Sequence, residues 1–150
     1  MVLVAAVAAG CGGGGDGRPV FERARATFSR VDRLHVRLFV NAHQPVERTA
    51  TMPASALPLQ RLHLSRWVQH PRRYDCEAGL ECARGDLDVK GAARELEPLL
   101  PNLPFDAGSV DSAKVEVAIG KRDGILRRAR LSGDVFGLQF EVEVTATPRA

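Results

Sequence analysis

The side chains best suited to chemistry in this chain are three cysteines and four histidines. Cys76 and Cys82 are separated by five residues that include Gly79, a spacing that suits a disulfide across the tip of a hairpin. Zinc is the competing interpretation, because His63 and His70 lie upstream of both cysteines. Tetrahedral zinc usually takes cysteines separated by about two to four residues, so the spacing favours the disulfide. We therefore predict no metal site and no cofactor.

Catalysis has no comparable signal. The serine, histidine and aspartate side chains are scattered among strands and turns, and no spacing pairs a nucleophile with a base. His35 falls on a solvent-exposed strand face, while His43 and His70 each lie within two residues of a proline. We predict no catalytic residue and no enzymatic activity, with a hydrolase as a distant alternative. The net charge of +3 comes from arginines interspersed with acids, without a basic run or an aromatic platform, so we also predict no nucleic-acid partner.

Cys11 has a different setting from the other two cysteines. The apolar residues 1–10 end in Ala8-Ala9-Gly10, which resembles the lipobox of bacterial lipoproteins, whose cysteine receives a diacylglyceryl group. About ten residues cannot span a bilayer, which needs about twenty, but they match the apolar core of a secretory signal. A chance apolar leader is the alternative. If Cys11 carries lipid, the remaining two cysteines are left as a pair.

A glycine run follows Cys11 and behaves as a flexible tether. We therefore divide the chain into a signal peptide at 1–10, a lipidated cysteine with its tether at 11–18, and a single domain at 19–147. Such a chain is exported and anchored to the outer face of the cell membrane.

The secondary-structure elements that the sequence predicts most clearly are strands with one apolar face, and any functional site must be positioned by them. Residues 114–147 read as an antiparallel meander of three strands, with turns predicted at Lys121–Gly124 and Ser132–Asp134. The third strand is expected to place Phe136, Leu138 and Phe140 on its apolar side.

Upstream of the meander, the periodicity predicts an amphipathic helix of about twelve residues from Pro19 and a first strand at 34–40. Prolines punctuate residues 42–59, so a strand there must be short or at an edge. Leu62 to Val68 look like another strand ended by His70-Pro71, and a helix is predicted from Val89 to Leu100.

With these residues the chain resembles the LppX/LprA/LprF/LprG family of envelope lipoproteins, which are similar in fold to the LolA and LolB carriers. The likeness is best over 82–144, where a strand ending in Gly85-Asp86-Leu87-Asp88-Val89 leads into a helix, a proline loop and the hairpin around Lys121–Gly124. The resemblance implies an α+β fold, with a curved antiparallel sheet, an incomplete barrel, whose concave face is covered by helices. It also implies a non-catalytic protein that binds or carries a lipid or lipoglycan, held between sheet and helices. The short middle segment of this chain implies a smaller sheet and a smaller cavity.

On this basis we predict a lipid-binding cavity lined by inward-facing residues. Arg127 is its polar member, because strand alternation places it with Ile125, Ala129 and Leu131 unless a bulge shifts the register. There Arg127 must pair with an acid, reach the cavity mouth or bind an anionic headgroup. The alternative function is a closed-core structural or interaction module with envelope partners. The predicted lining comprises Val36, Leu38, Leu96, Leu100, Val115, Val117, Ile119, Arg127, Phe136, Leu138 and Phe140.

Overall fold

A computed structural model describes residues 15–57, 59–98 and 109–150, except for the side chains of Leu96 and Asp111. The predicted signal peptide, Cys11 and Leu100 lie outside the described residues. Short 3-10 turns occur at Phe28–Arg30, Ala54–Ala56 and Leu59–Arg61. The helices and strands are α1 (Arg18–Ala26), β1 (Val31–Asn41), β2 (Val46–Pro53), α2 (Leu64–Trp67), β3 (Val68–Tyr74), β4 (Leu80–Leu87), α3 (Val89–Leu96), β5 (Val110–Gly120), β6 (Leu126–Val135) and β7 (Leu138–Pro148).

The seven strands form one antiparallel sheet in the order β2-β1-β7-β6-β5-β4-β3. The meander of β5, β6 and β7 lies at its centre, as predicted, and β1 returns to pair with β7. The two edge strands, β2 and β3, do not pair with each other, so the sheet stays open. The α+β prediction of an incomplete barrel with covering helices is confirmed.

The core lies beneath α1. Pro19 stands in the first turn of α1, where its missing N–H costs nothing, and the helix buries Val20, Phe21 and Ala24 along one face. Phe28, one turn further on, is also buried. The sheet residues that complete this core share one face and include Leu34, Val115, Val117, Ile119, Leu126 and Ala146.

The prediction of a turn at Ser132–Asp134 is wrong. β6 continues to Val135, and the chain reverses at Phe136-Gly137, where φ is +50° and +76°. A two-residue turn with both φ values positive matches the twist of the flanking strands. Phe136 consequently stands at the hairpin tip with 80% of its surface exposed, so its predicted place on the inner face is also wrong.

The strand predicted at Leu62 to Val68 is wrong as well. The chain forms the single helical turn α2 there and only then enters β3, which continues through His70-Pro71 to Tyr74. His70 has a φ of +51°, and the pairing of β3 with β4 shifts between Gln69 and Arg72. Because β3 is an edge strand with a bulge, proline is tolerated in it.

The turn between β3 and β4 is closed by a disulfide between Cys76 and Cys82, which confirms the predicted pair. Gly79 lies in this turn with a φ of +85°. α3 begins directly after β4, and the Asp88 side chain caps it by accepting a hydrogen bond from the Gly91 N–H at 3.2 Å. Within the described residues, no helix combines the length and the apolarity needed to cross a membrane.

Candidate functional site

An apolar cleft of about 70 Å³ lies between α1, the segment 59–64 and the inner face of the sheet. Among the described residues, nine of the ten that line it are apolar. Ala24 on the helix and Ala129 on β6 contribute only methyl groups, so the two walls do not close on each other. The apolar lining is completed by Phe21, Phe28, Leu59, Leu62, Leu64, Val117 and Leu126.

Arg25 is the one charged residue among the described residues that line the cleft. Its Nη2 lies 2.8 Å from Nε2 of His63. Among the described residues, His63 is the side-chain hydrogen-bond partner of Arg25. Because a guanidinium can only donate, Nε2 of His63 must accept this hydrogen bond. Nδ1 of His63 then carries the ring proton and donates it to Glu95 Oε1 at 2.6 Å. Arg25 Nε is buried and has no hydrogen-bond partner among the described residues.

Glu95 of α3 holds this arrangement in place. Its Oε1 also accepts from the His63 backbone N–H at 2.9 Å, and its Oε2 accepts from Trp67 Nε1. Partial burial opposes ionisation of Glu95, but the hydrogen bonds from His63 and Trp67 outweigh it and lower its pKa to about 2. The carboxylate is therefore ionised at neutral pH, and three donors already engage it.

The apolar surface continues from the cleft along the inner face of the sheet. Strand pairing places Val144 beside Ala129 and Val36 beside Val144, and both valines pack against the core while remaining partly exposed. Further along the same strands, Leu38 and Val142 are also only partly buried. The cleft thus opens onto a broader apolar surface towards the β1–β2 turn.

The residues predicted to line one cavity are divided by the structure. Val117 lines the cleft, whereas Val115 and Ile119 belong to the closed core beneath α1. Val36, Leu38 and Phe140 lie on the partly exposed inner face, and Leu138 is 40% exposed at the start of β7. Leu96 ends α3, and its side chain lies outside the described part.

Arg127 does not lie on the inner face. The pairing of β5 with β6 shifts between Ala118 and Ile119, so that Leu126 takes the inward position opposite Ile119. Arg127 instead donates from Nη2 to Asp123 Oδ2 at 2.6 Å and from Nη1 to the Ile125 carbonyl at 3.0 Å. The prediction that Arg127 shares the face of Ile125 and Ala129 is therefore wrong, and a bulge is the reason.

Arg25 was not among the residues that the sequence singled out. The helical periodicity predicts that Arg25 faces water with Glu22 and Arg23, whereas the structure leaves it partly buried where it lines the cleft. The segment that completes the cleft was hidden for another reason. Leu62 and Leu64 alternate like a strand, but Leu62 directly follows the 3-10 turn Leu59–Arg61 and Leu64 begins α2.

The alternative of a zinc site finds no support around the cysteines. Cys76, Glu77 and Cys82 bring potential ligand atoms within 4.8 Å of one another, but the two sulfurs are bonded to each other. Glu77 pairs with Arg128, Oε1 to Nη1 at 2.9 Å. His63 contacts Glu95 and Arg25 instead.

Solved structures with the same fold include two mycobacterial proteins. LprF from Mycobacterium bovis is 12% identical with a TM-score of 0.53, and the match covers 87% of this chain and 91% of that chain. The lipoprotein LppX from Mycobacterium tuberculosis is 11% identical with a TM-score of 0.50, over 87% and 92% of the two chains. No family model and no curated protein matches the sequence. The chain therefore has the fold of LprF and LppX, the fold that its sequence resemblance implied.

Proposed function

We propose that this protein is a non-catalytic lipoprotein of the cell envelope that binds the acyl part of a lipid between its sheet and its helices. The supporting observation is the apolar cleft beneath α1, which opens onto the partly exposed inner face of the sheet. Aliphatic and aromatic walls hold hydrocarbon without needing polar partners. The fold shared with LprF and the lipoprotein LppX agrees with this assignment.

The proposal includes export and anchoring. The apolar leader and the glycine run on either side of Cys11 support a diacylglyceryl group on that cysteine, with the domain on the outer face of the cell membrane. A disulfide between Cys76 and Cys82 suits a compartment outside the cytoplasm. The cargo proposed on this basis is a lipid or lipoglycan of that membrane.

The size of the cleft favours a second candidate. Ligand cavities usually measure about 300 Å³ or more, and this cleft is about 70 Å³. A closed-core module that binds envelope proteins would need no larger space. Lipid binding instead requires the acyl chain to use the open inner face beside the cleft, or α1 and the segment 59–64 to move apart.

Native mass spectrometry of residues 15–150, exported behind a cleavable signal peptide and then purified, distinguishes the two functions. A lipid carrier should retain a co-purified lipid, or should take up decanol added to the delipidated protein. Ala24→Leu extends a side chain into the cleft from its helical wall, and we expect it to reduce decanol binding about tenfold.

Ala26→Leu is the matched control, because Ala26 lies on the same helix with its side chain exposed. We expect this variant to bind decanol like the wild type. Absence of lipid from the purified protein, together with no uptake of decanol, would reject the carrier function and leave the closed-core module.

A further inference from the structure

We infer that the lipid bound in the cleft carries an anionic headgroup, a fatty carboxylate, and that Arg25 binds this group while the acyl chain lies on the apolar surface. This inference rests on the proposed function and names the class of its ligand. It depends on the charge of Arg25 in a lining whose other described residues are apolar.

Arg25 has unused hydrogen-bonding capacity at the cleft. The guanidinium offers five N–H donors, and the described residues engage one of its nitrogens, Nη2, through His63. Nε is buried without a hydrogen-bond partner in the described part of the chain. A buried donor in this state is costly, so Arg25 is incompletely satisfied within the described residues. The planar guanidinium at the cleft suits a carboxylate, which forms charge-assisted hydrogen bonds with it.

The neighbouring acid, Glu95, is not paired with Arg25 among the described residues. Glu95 accepts two hydrogen bonds from His63 and one from Trp67, so both of its oxygens are already engaged by those donors. His63 stands between the two charges as a neutral ring that accepts from Arg25. The series of hydrogen bonds from Trp67 through Glu95 to His63 therefore fixes the orientation of Arg25. It leaves the positive charge of Arg25 available for a ligand.

The path of an acyl chain follows from the lining. Ala24 and Ala129 line the cleft together with Arg25 and leave room between the helix and the sheet. Beyond Ala129 the inner face continues through Val144 and Val36, which remain partly exposed. A single chain whose carboxylate lies at Arg25 can thus place its first methylenes in the cleft and its remainder along β7 and β1.

Paired ligands with the same chain and different headgroups test this inference. Decanoate and decanol should both bind the delipidated wild-type protein, with decanoate about tenfold tighter by calorimetry. Arg25→Gln should weaken decanoate about tenfold and change decanol less than twofold. Arg66→Gln, the same substitution at an exposed arginine of α2, should leave both affinities unchanged.

A measurement on the unmutated protein keeps the test independent of how Arg25→Gln folds. Decanoate labelled at its carboxyl carbon reports ionisation of the bound headgroup by NMR. A carboxylate paired with Arg25 must have a lower pKa than free decanoate, since an adjacent cation favours the charged form. A bound pKa at or above the free value would overturn the inference.

The remaining outcomes separate this inference from the proposed function. If decanoate and decanol bind equally well and Arg25→Gln affects neither, the anionic headgroup is rejected and the lipid carrier stands. If Arg66→Gln weakens decanoate binding as much as Arg25→Gln does, decanoate is attracted only by the net charge of the protein. That result would also reject the inference. If neither ligand binds, both proposals fail.

Discussion

Glu95 shows how one carboxylate organises the polar side of the site. It joins α3 to the turn before α2 through the backbone and ring of His63, and to α2 itself through Trp67. Helix α3 approaches Trp67 so closely that a Cβ on Gly91 would lie 2.2 Å from the ring. The glycine allows the contact, and the carboxylate then fixes the indole and the imidazole that positions Arg25.

The depressed pKa of Glu95 predicts a specific acid sensitivity. Its pKa of about 2 in the folded protein lies below its ordinary value of 4.5, so ionised Glu95 stabilises the fold above the ordinary pKa. That contribution is lost as the pH falls from about 4.5 to about 2. We expect it to be on the order of 2 kcal/mol, allowing for solvent screening at a side chain that is 19% exposed.

Urea unfolding measured between pH 6 and pH 2.5, roughly the range of the transition, tests this prediction. Glu95→Gln should be less stable than the wild type near neutrality, and the difference should shrink on acidification. Glu97→Gln is the control, because Glu97 is exposed at the end of α3. A wild-type acid transition unchanged by Glu95→Gln would refute the role of these hydrogen bonds.

The limits of sequence prediction are visible at Arg25 and Arg127. Alternation correctly placed Ala129 and Leu131 inward, but one bulge between Ala118 and Ile119 moved Arg127 off that face. A bulge depends on how two strands meet across the sheet, which neither strand encodes alone. The role of Arg25 depends on His63 and Glu95, residues 38 and 70 positions away in the chain. That juxtaposition exists only once α1, α2 and α3 have assembled.

The elements themselves were more predictable than their ends. Alternation identified β1 and the three strands of the central meander, because each presents one face to the core and one to water. The turn before β7 was misplaced, since Ser132-Gly133-Asp134 has turn-like composition while Phe136 rarely adopts a positive φ. In the structure Gly133 serves a different purpose, because a Cβ there would lie 2.1 Å from the Ser112 carbonyl oxygen.

The β6–β7 tip yields a prediction about stability. Phe136 has a φ of +50° and is 80% exposed. Its left-handed backbone conformation therefore destabilises the fold, and burial of its side chain compensates for little of that cost. Phe136→Asn should raise the free energy of unfolding by about 1 kcal/mol, since asparagine adopts this conformation readily. Thermal and urea unfolding measure the change.

Phe136→Leu is the control for this substitution, because leucine keeps the apolar character and the strain; its stability should not increase. Binding of decanol should be the same in both variants, since Phe136 does not line the cleft. Destabilisation by Phe136→Asn would mean that the aromatic ring contributes more than its exposure indicates.

The outer face of the sheet explains what most of the scattered charges do. Arg130 of β6 lies at the centre of an ion-pair network, with Nη2 2.8 Å from Glu143 and further contacts to Glu116 and Glu141 on neighbouring strands. Arg37 of β1 extends the network through its contact with Glu141 at 3.5 Å. These ion pairs lie on the solvent-exposed face of the sheet, and the apolar side chains lie on the opposite face, beneath α1.

At the scale of the whole molecule, the start of the domain is attached to one edge of the sheet. The backbone N–H of Arg73 donates to the Gly15 carbonyl at 2.9 Å, and that of Gly17 donates to the Pro71 carbonyl at 3.0 Å. Gly15 thus lies beside β3 near the β3–β4 turn, at the end of the sheet opposite the β1–β2 turn. If Cys11 is lipidated, its position relative to Gly15 determines which part of the domain approaches the membrane.

Three residues lie between Cys11 and Gly15, so the four Cα–Cα steps of the covalent chain can span at most about 14 Å between them. The proposed anchor therefore predicts that the β3–β4 turn stays close to the membrane surface while the β1–β2 turn is held away from it.

We expect incorporation of a palmitate analogue into the wild type and none into Cys11→Ser. In liposomes, a fluorophore at Ala78, exposed in the β3–β4 turn, should be quenched by headgroup-attached quenchers far more than one at His43, exposed in the β1–β2 turn. Equal labelling of the two proteins would reject the anchor, whereas labelling of the wild type alone with equal quenching at both turns would keep the anchor and reject the orientation.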